Sequence, residues 1–267
     1  MKNWIPYLAA LFVIVALLVS FYLDLQNLAD SGSVDMRNRI TGIRLLEKGI
    51  DPYHYHWHEG EPPEYIDLRN NPHLDVSKTT VTPTLLLLEL PFAGVPYRTT
   101  QYIWLIVQWF LLLGIGFLWW RAAPTQLSRW FVILFVTGFS FTDSWRWEAE
   151  RCQAYLLIAF IFTCWLTATL SPRQSNGFIA GLIAGFLITL RPPCLLLIPF
   201  MAIHRRGQLA GTALGTLLSA TLPMLFKIDI WTNYFSAMKS FSHLYRYGIN
   251  PDKGPQHFPP TLSLIHI

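Results

Sequence analysis

Residues 4–23 run from a tryptophan to a leucine without a single charge, and no other feature constrains the fold of this chain so strongly. A bilayer core about 30 Å thick needs roughly 20 such residues in a helix. Lipid offers no partner to backbone N–H and C=O groups, so the segment that crosses it must satisfy them internally. The run is longer than the ~7–15 apolar residues of a secretory signal and no small-residue cleavage site follows it, so we read it as a retained signal-anchor helix.

The same signature recurs at residues 103–120, 154–170 and 209–226, and in shorter form at 130–142, 177–190 and 194–204. The shorter three suit tilted, kinked or partly inserted helices. A composition of 52% hydrophobic against 13% charged residues, with mean hydropathy +0.35, lies outside the range of soluble globular domains. The expected fold is all-α: one polytopic transmembrane helical bundle over residues 1–267, with an amphipathic helix and a long first extracytoplasmic loop at residues 24–82.

Lys and Arg in short loops set orientation. With the N-terminus in the cytoplasm, the cytoplasmic segments hold Lys2, Arg121, Arg129, Arg173, Arg205 and Arg206 and no acid, whereas ten of the 16 acids fall in residues 24–78. The net charge of +4 then belongs to edges that face anionic headgroups, making membrane lipids the expected partner. No basic run suggests nucleic acid, and Cys152, Cys164 and Cys194 are too isolated for a disulfide framework or a metal site.

Within the first loop, residues 35–49 place Met36, Ile40, Ile43 and Leu46 on one helical face and Arg37, Thr41, Arg44 and Lys48 opposite, which predicts a helix lying on the outer membrane surface. Gly49 is a plausible C-cap, Asp51-Pro52 a turn, and the stretch beyond it a structured loop or lid. Residues 83–97 carry Glu89, Pro91 and Pro96, which suits a re-entrant or interfacial helix. Residues 143–153 are expected to form a second outer loop, and residues 227–260 an outer segment with interfacial aromatics.

Several groups carry possible chemistry. Asp35 opens the amphipathic helix, where a carboxylate serves either as general base on a hydroxyl or as an N-cap. Arg191, after an apolar run and before two prolines, sits at membrane depth; it either binds a lipid-linked phosphate or snorkels to headgroups. Arg151 and Gln153 lie in a polar and aromatic cluster with Trp145, Arg146, Trp147, Glu148 and Glu150 at the mouth of two spans, part of which is an ordinary aromatic belt. Tyr53 and His54 join the candidates that line a cavity. His54, His56 and His58 alternate, a spacing that admits zinc, although packing or sugar stacking suits the patch better. No nucleotide, hydrolase or metalloprotease fingerprint is present, so the chain calls for no cofactor and any donor is lipid-borne.

An N-terminal span, an Asp-led amphipathic helix ending in Gly49, Asp51, Pro52 and Tyr53, and a proline-led leucine run together resemble glycosyltransferase family 87. These are polyprenol-phosphate-mannose-dependent mannosyltransferases of the GT-C membrane superfamily. Arg151-Cys152-Gln153 is similar to the family's Gly-Gln motif, and residues 180–185 leading to Arg191-Pro192 to its AG-x-x-x-G segment followed by Lys-Pro. Cys152 departs from the usual Gly, Arg191 from Lys, and Thr82-Pro83-Thr84 from Tyr-Pro-Pro.

The resemblance implies an inverting transferase of the inner membrane whose site faces outward. It would move a sugar, mannose by analogy, from a polyprenyl-phosphate donor to a lipid or glycan acceptor. Asp35 would be the base, Arg191 the residue facing the donor phosphate, and Gln153 part of the cavity. Family chains continue through further spans, whereas residues 261–267 look like adapter read-through, so a truncated C-terminus is expected. The alternative is a transporter or lipid flippase without transferase activity, which would need more ionisable residues near the bilayer midplane; a non-catalytic membrane scaffold is a third option.

Overall fold

The computed structural model describes residues 4–30, 33–66, 75–77, 79–170 and 175–246. Among them are eleven α-helices and no strand. The helices are α1 (Ile5–Asp30), α2 (Val34–Glu47), α3 (Pro83–Glu89), α4 (Tyr97–Ala122), α5 (Gln126–Phe139), α6 (Asp143–Glu150), α7 (Tyr155–Leu170), α8 (Ser175–Leu190), α9 (Leu197–His204), α10 (Leu209–Met224) and α11 (Ile230–Arg246). The chain divides into two compact units. The first comprises residues 1–36, 98–187 and 193–215; the second comprises 37–97, 188–192 and 216–267.

Two helices are long and apolar enough to cross a membrane, over Pro6–Ala29 and Tyr97–Ala122. The pair α6 and α7 counts as a third if a span bent by 112° is allowed. The first helix runs on past the end of the apolar run to Asp30, which brings Asp24 inside it. The short apolar stretches form α5, α8 and α9, with 14, 16 and 8 residues.

In the first unit, α1 packs against α5 and α6. The start of α5 is fixed by a capping box in which Thr125 and Ser128 exchange side-chain and backbone bonds. Residues 143–153, expected as a loop, instead begin with helix α6. Thr142 caps its N-terminus by accepting from the Trp145 N–H, and Trp145 is fully buried, so a short segment too polar to read as a span is held by packing. Helices α8 and α10 meet backbone to backbone: a Cβ at Gly181 would collide with the Gln208 carbonyl, and one at Gly211 with that of Phe178. Small residues permit this approach, which brings Ala180, Ala184 and Leu187 into one core with Trp165 and Met201.

In the second unit, α2 has its expected apolar residues Ile40, Ile43 and Leu46 buried, but the other side is not the open polar face its sequence suggests. Thr41 is buried there, while on the apolar face Arg39 aims its Nε at both Glu89 oxygens, 2.8 Å from each, with both side chains enclosed. Arg44 donates to the carbonyls of Ala93 and Val95, groups left over where the 3-10 turn Leu90–Phe92 ends. The amphipathic helix is therefore covered by protein along much of both faces, its arginines reaching carboxylate and carbonyl partners in place of water. Gly49, at φ 70°, closes α2 in a Schellman turn: its N–H bonds the Leu46 carbonyl and that of Ile50 the Leu45 carbonyl. Pro223 sits inside α10 and has no N–H for the carbonyl four residues back, that of Ser219. The Thr84 hydroxyl donates to that oxygen at 3.1 Å.

Candidate functional site

Asp35 lies in the first turn of α2, where the helix dipole favours a negative charge. Its carboxylate does not turn back to cap its own helix. Arg151 Nη2 donates to Oδ1 at 3.1 Å and its Nε lies 2.9 Å from Oδ2, which also accepts from Gln153 Nε2 at 2.8 Å. The contact is a two-pronged guanidinium–carboxylate pair with an amide on its flank. Three candidates chosen from sequence thus meet within the first unit. The Asp35 side chain keeps 28% of its surface exposed and that of Arg151 45%, so the group is open to an incoming molecule.

The geometry of Arg151 and Gln153 follows from how α6 ends. The Cys152 N–H bonds the Ala149 carbonyl at 3.1 Å and the Gln153 N–H the Glu148 carbonyl at 3.0 Å, the paired bonds of a Schellman turn. Such a turn needs a left-handed residue, and Cys152 occupies it at φ 51°. Cys152 is wholly buried, and its thiol donates to Ser33 Oγ at 3.3 Å, while that hydroxyl donates to the Glu150 carbonyl at 3.0 Å. Ser33 immediately precedes α2, so one small polar cluster ties the start of Asp35's helix to the turn that carries its two partners.

Further support comes from α4. Gln108, fully buried within the otherwise apolar run of residues 103–120, donates to the carbonyls of Glu148 and Gln153, and the Trp104 indole also donates to the Gln153 carbonyl. The Glu148 carboxylate accepts from the Leu156 N–H at 2.9 Å, stabilising the first turn of α7 just beyond the 112° bend. None of these bracing residues had been picked out as such from sequence. A glutamine inside the apolar run of residues 103–120 is the available signal for Gln108; Ser33 has none.

The other candidates lie in the second unit. Tyr53 is fully enclosed: its hydroxyl donates to the Val81 carbonyl, its ring packs edge-on against Tyr234, and burial pushes its phenol well above the usual range. Asp51 receives the Tyr53 N–H on one oxygen and lies 2.8 Å from His54 Nδ1 with the other, a local turn that explains why an Asp-Pro-Tyr sequence follows the helix. His54 is one-third exposed. Arg191 is exposed where α8 ends, and its charge opposes the upward shift that burial imposes on the Tyr234 phenol. Thr82 donates to the Leu190 carbonyl just before Arg191, so the threonines of Thr82-Pro83-Thr84 serve as backbone braces.

In the histidine-rich loop, Glu61 accepts from the Tyr55 hydroxyl at 2.7 Å and from the His58 N–H at 2.9 Å, bonds that hold its carboxyl below the usual range. Among the described residues no three His, Cys, Asp or Glu side chains converge in a way that suits a metal ion. The aromatic residues Tyr245 and Tyr247 and the acid Asp252 lie where side chains are outside the described residues.

No curated protein and no solved structure matches the chain. The family model described as glycosyltransferase family 87 matches residues 80–263, which include Arg151, Gln153 and Arg191 and leave out Asp35. The match covers well over half of a chain that also has the helices to cross a bilayer: this protein belongs to glycosyltransferase family 87 and is a membrane glycosyltransferase.

Proposed function

We propose that the protein is an inverting sugar transferase in which Asp35 is the general base. The donor is a polyprenyl-phosphate sugar, mannose by family analogy, and the acceptor is a hydroxyl of a lipid or glycan. The observation that carries the reading is the setting of Asp35: a part-exposed carboxylate at a helix start, gripped by Arg151 and Gln153. A carboxylate offers about four lone-pair sites. Arg151 and Gln153 take three, which leaves one to receive the acceptor hydroxyl and its proton. The freed oxygen attacks the anomeric carbon as the bond to the phosphate oxygen breaks, and the polyprenyl phosphate departs with the electron pair. Phosphate is a good leaving group, so one base and a cation facing the phosphate suffice. Arg191, whose guanidinium suits bidentate phosphate contacts, is the residue we assign to it.

The placement of Lys and Arg supports an orientation with the N-terminus in the cytoplasm of an inner membrane and the transfer site outside. The test is transfer of labelled mannose from polyprenyl-phosphate mannose to extracted membrane lipids. A positioned base typically contributes ~10²–10⁴-fold, so Asp35→Asn should lose at least about 100-fold in kcat with the fold intact. Unchanged turnover would remove Asp35 from the mechanism.

A further inference from the structure

Asp24 is a carboxylate within a helix long and apolar enough to span the membrane, and it is only 5% exposed. Charges inside such segments are expensive and are kept for what they hold. Oδ2 of Asp24 accepts two indole N–H bonds, from Trp109 of α4 at 2.9 Å and from Trp145 of α6 at 2.8 Å. The two indoles pack edge-on with centroids 5.1 Å apart, and Phe21 and Phe139 close the box around them. One turn earlier on the same face of α1, Ser20 donates to the Ser140 carbonyl at the end of α5. The polar edge of α1 that carries Ser20 and Asp24 is thus spent on the corner from which α6 begins.

Helix α6 has eight residues, too few to hold a direction by its own backbone bonds. Its pose depends on Trp145, and Arg151 lies six residues further on, roughly 9 Å along the axis at the usual rise. A tilt of about 10° around Trp145 would therefore displace Arg151 and Gln153 by roughly 1.6 Å, against contacts to Asp35 of 2.8 to 3.1 Å.

We propose that Asp24 is a positioning residue that, through Trp145, sets the angle of α6 and so delivers Arg151 and Gln153 to Asp35. The inference rests on the assignment of Asp35 as base for its functional consequence, but not for the geometry. Cys152 provides a separate reporter, since it is buried at the far end of α6, whereas Cys164 and Cys194 are replaceable by serine to leave it the sole thiol.

The experiment measures N-ethylmaleimide labelling of Cys152 in the full chain in nanodiscs, alongside mannosyl transfer. Asp24→Leu should raise the labelling rate by about 10-fold or more, as the turn opens locally. It should lower kcat by roughly 100-fold with KM for the donor within about twofold, the cost of a misplacement of order 1 Å. Asp24→Asn keeps an acceptor oxygen for both indoles and should restore kcat and labelling to within about fivefold of wild type. If Asp24→Leu does not fold, Trp145→Phe, which keeps an aromatic ring, though a smaller one, and removes the donor, must show the raised labelling. Wild-type labelling in folded Asp24→Leu or Trp145→Phe overturns the proposal. So does a change in donor KM with kcat preserved. Wild-type turnover in Asp35→Asn would end the base assignment while leaving the labelling result to decide Asp24.

Discussion

Cys152 offers a sharp check on how the site is built, because two effects there oppose each other with comparable size. Removing its sulfur deletes one buried heavy atom. That costs roughly 0.8 kcal/mol in transfer, and a cavity of about 25 Å³ adds roughly 0.6 kcal/mol. Cys152→Ala should therefore lose about 1.5 kcal/mol, slightly more with the thiol's bond to Ser33. Cys152→Gly loses the buried Cβ as well, roughly a further 0.8 kcal/mol, and about 0.5–1 kcal/mol in backbone entropy. It recovers roughly 1–2 kcal/mol, because glycine alone occupies φ 51° without a Cβ penalty. Glycine should therefore come out within about 1 kcal/mol of alanine, whereas at a buried right-handed helical position the same loss of Cβ and backbone entropy would leave it roughly 1.5–2 kcal/mol behind. Cys152→Val, β-branched in a left-handed position, should be the worst of the three by at least about 2 kcal/mol. Thermal unfolding of the purified variants in detergent reads the order. Alanine ahead of glycine by about 1.5 kcal/mol or more would show that no left-handed turn is there, and the placement of Arg151 and Gln153 would fall with it.

Other substitutions test separate parts of the frame. Thr84→Val removes the hydroxyl that serves the Ser219 carbonyl freed by Pro223, and should cost about 1–3 kcal/mol, whereas Thr84→Ser should retain most of the stability; thermal shift separates them. Gly211→Ala should destabilise by about 1–3 kcal/mol or more, since the added methyl meets a backbone carbonyl that has no rotamer to yield, and Gly207→Ala, with open space around it, should be near neutral. Glu61 has its carboxyl lowered by Tyr55 and His58, so its contribution to loop order is present above the unfolded value of 4.5 and fades as pH falls through the lower folded value. The protection of the His58 amide, its exchange relative to the intrinsic rate at each pH, should fall in that acid window in the wild type and be independent of pH in Glu61→Gln.

The apolar runs were legible because their signal is local: each residue's transfer preference adds to its neighbours', and a helix is the only open-ended way to keep the backbone satisfied in lipid. Helix α6 was not, because eight residues with Asp143, Arg146, Glu148 and Glu150 have no run to read. Its stability comes from Trp145, which bonds Asp24 from 121 positions away and packs on Trp109 of another helix. The polar side of α2 was misjudged for a related reason. Periodicity reports that Arg44 avoids the apolar face, but neither that Glu89 waits for Arg39, which shares that face with Ile43 and Leu46, nor that two carbonyls wait for Arg44. Asp35, Arg151 and Gln153 could be picked out one by one from position and residue type, yet their convergence depends on Cys152 standing at positive φ, which no pattern of hydrophobicity encodes.

That convergence also bears on how the base would work. An Arg151 bound to Asp35 through two atoms balances the carboxylate's charge without taking all of its oxygens' lone pairs, so the site can bind an uncharged acceptor hydroxyl without first importing an anion's repulsion. Were Asp35 to take the proton, the pair would lose its charge attraction, and Arg151 would become a cation with a weakened partner at the moment when a leaving phosphate would acquire negative charge. Replacing Arg151 by lysine keeps the charge but not the two-pronged grip, and by glutamine keeps a donor but not the charge. If the grip matters most, the two replacements should impair transfer alike; if the released charge matters, lysine should retain far more activity. On the geometry of the pair, with both Asp35 oxygens engaged within 3.1 Å, we expect the grip to dominate and the two variants to fall together.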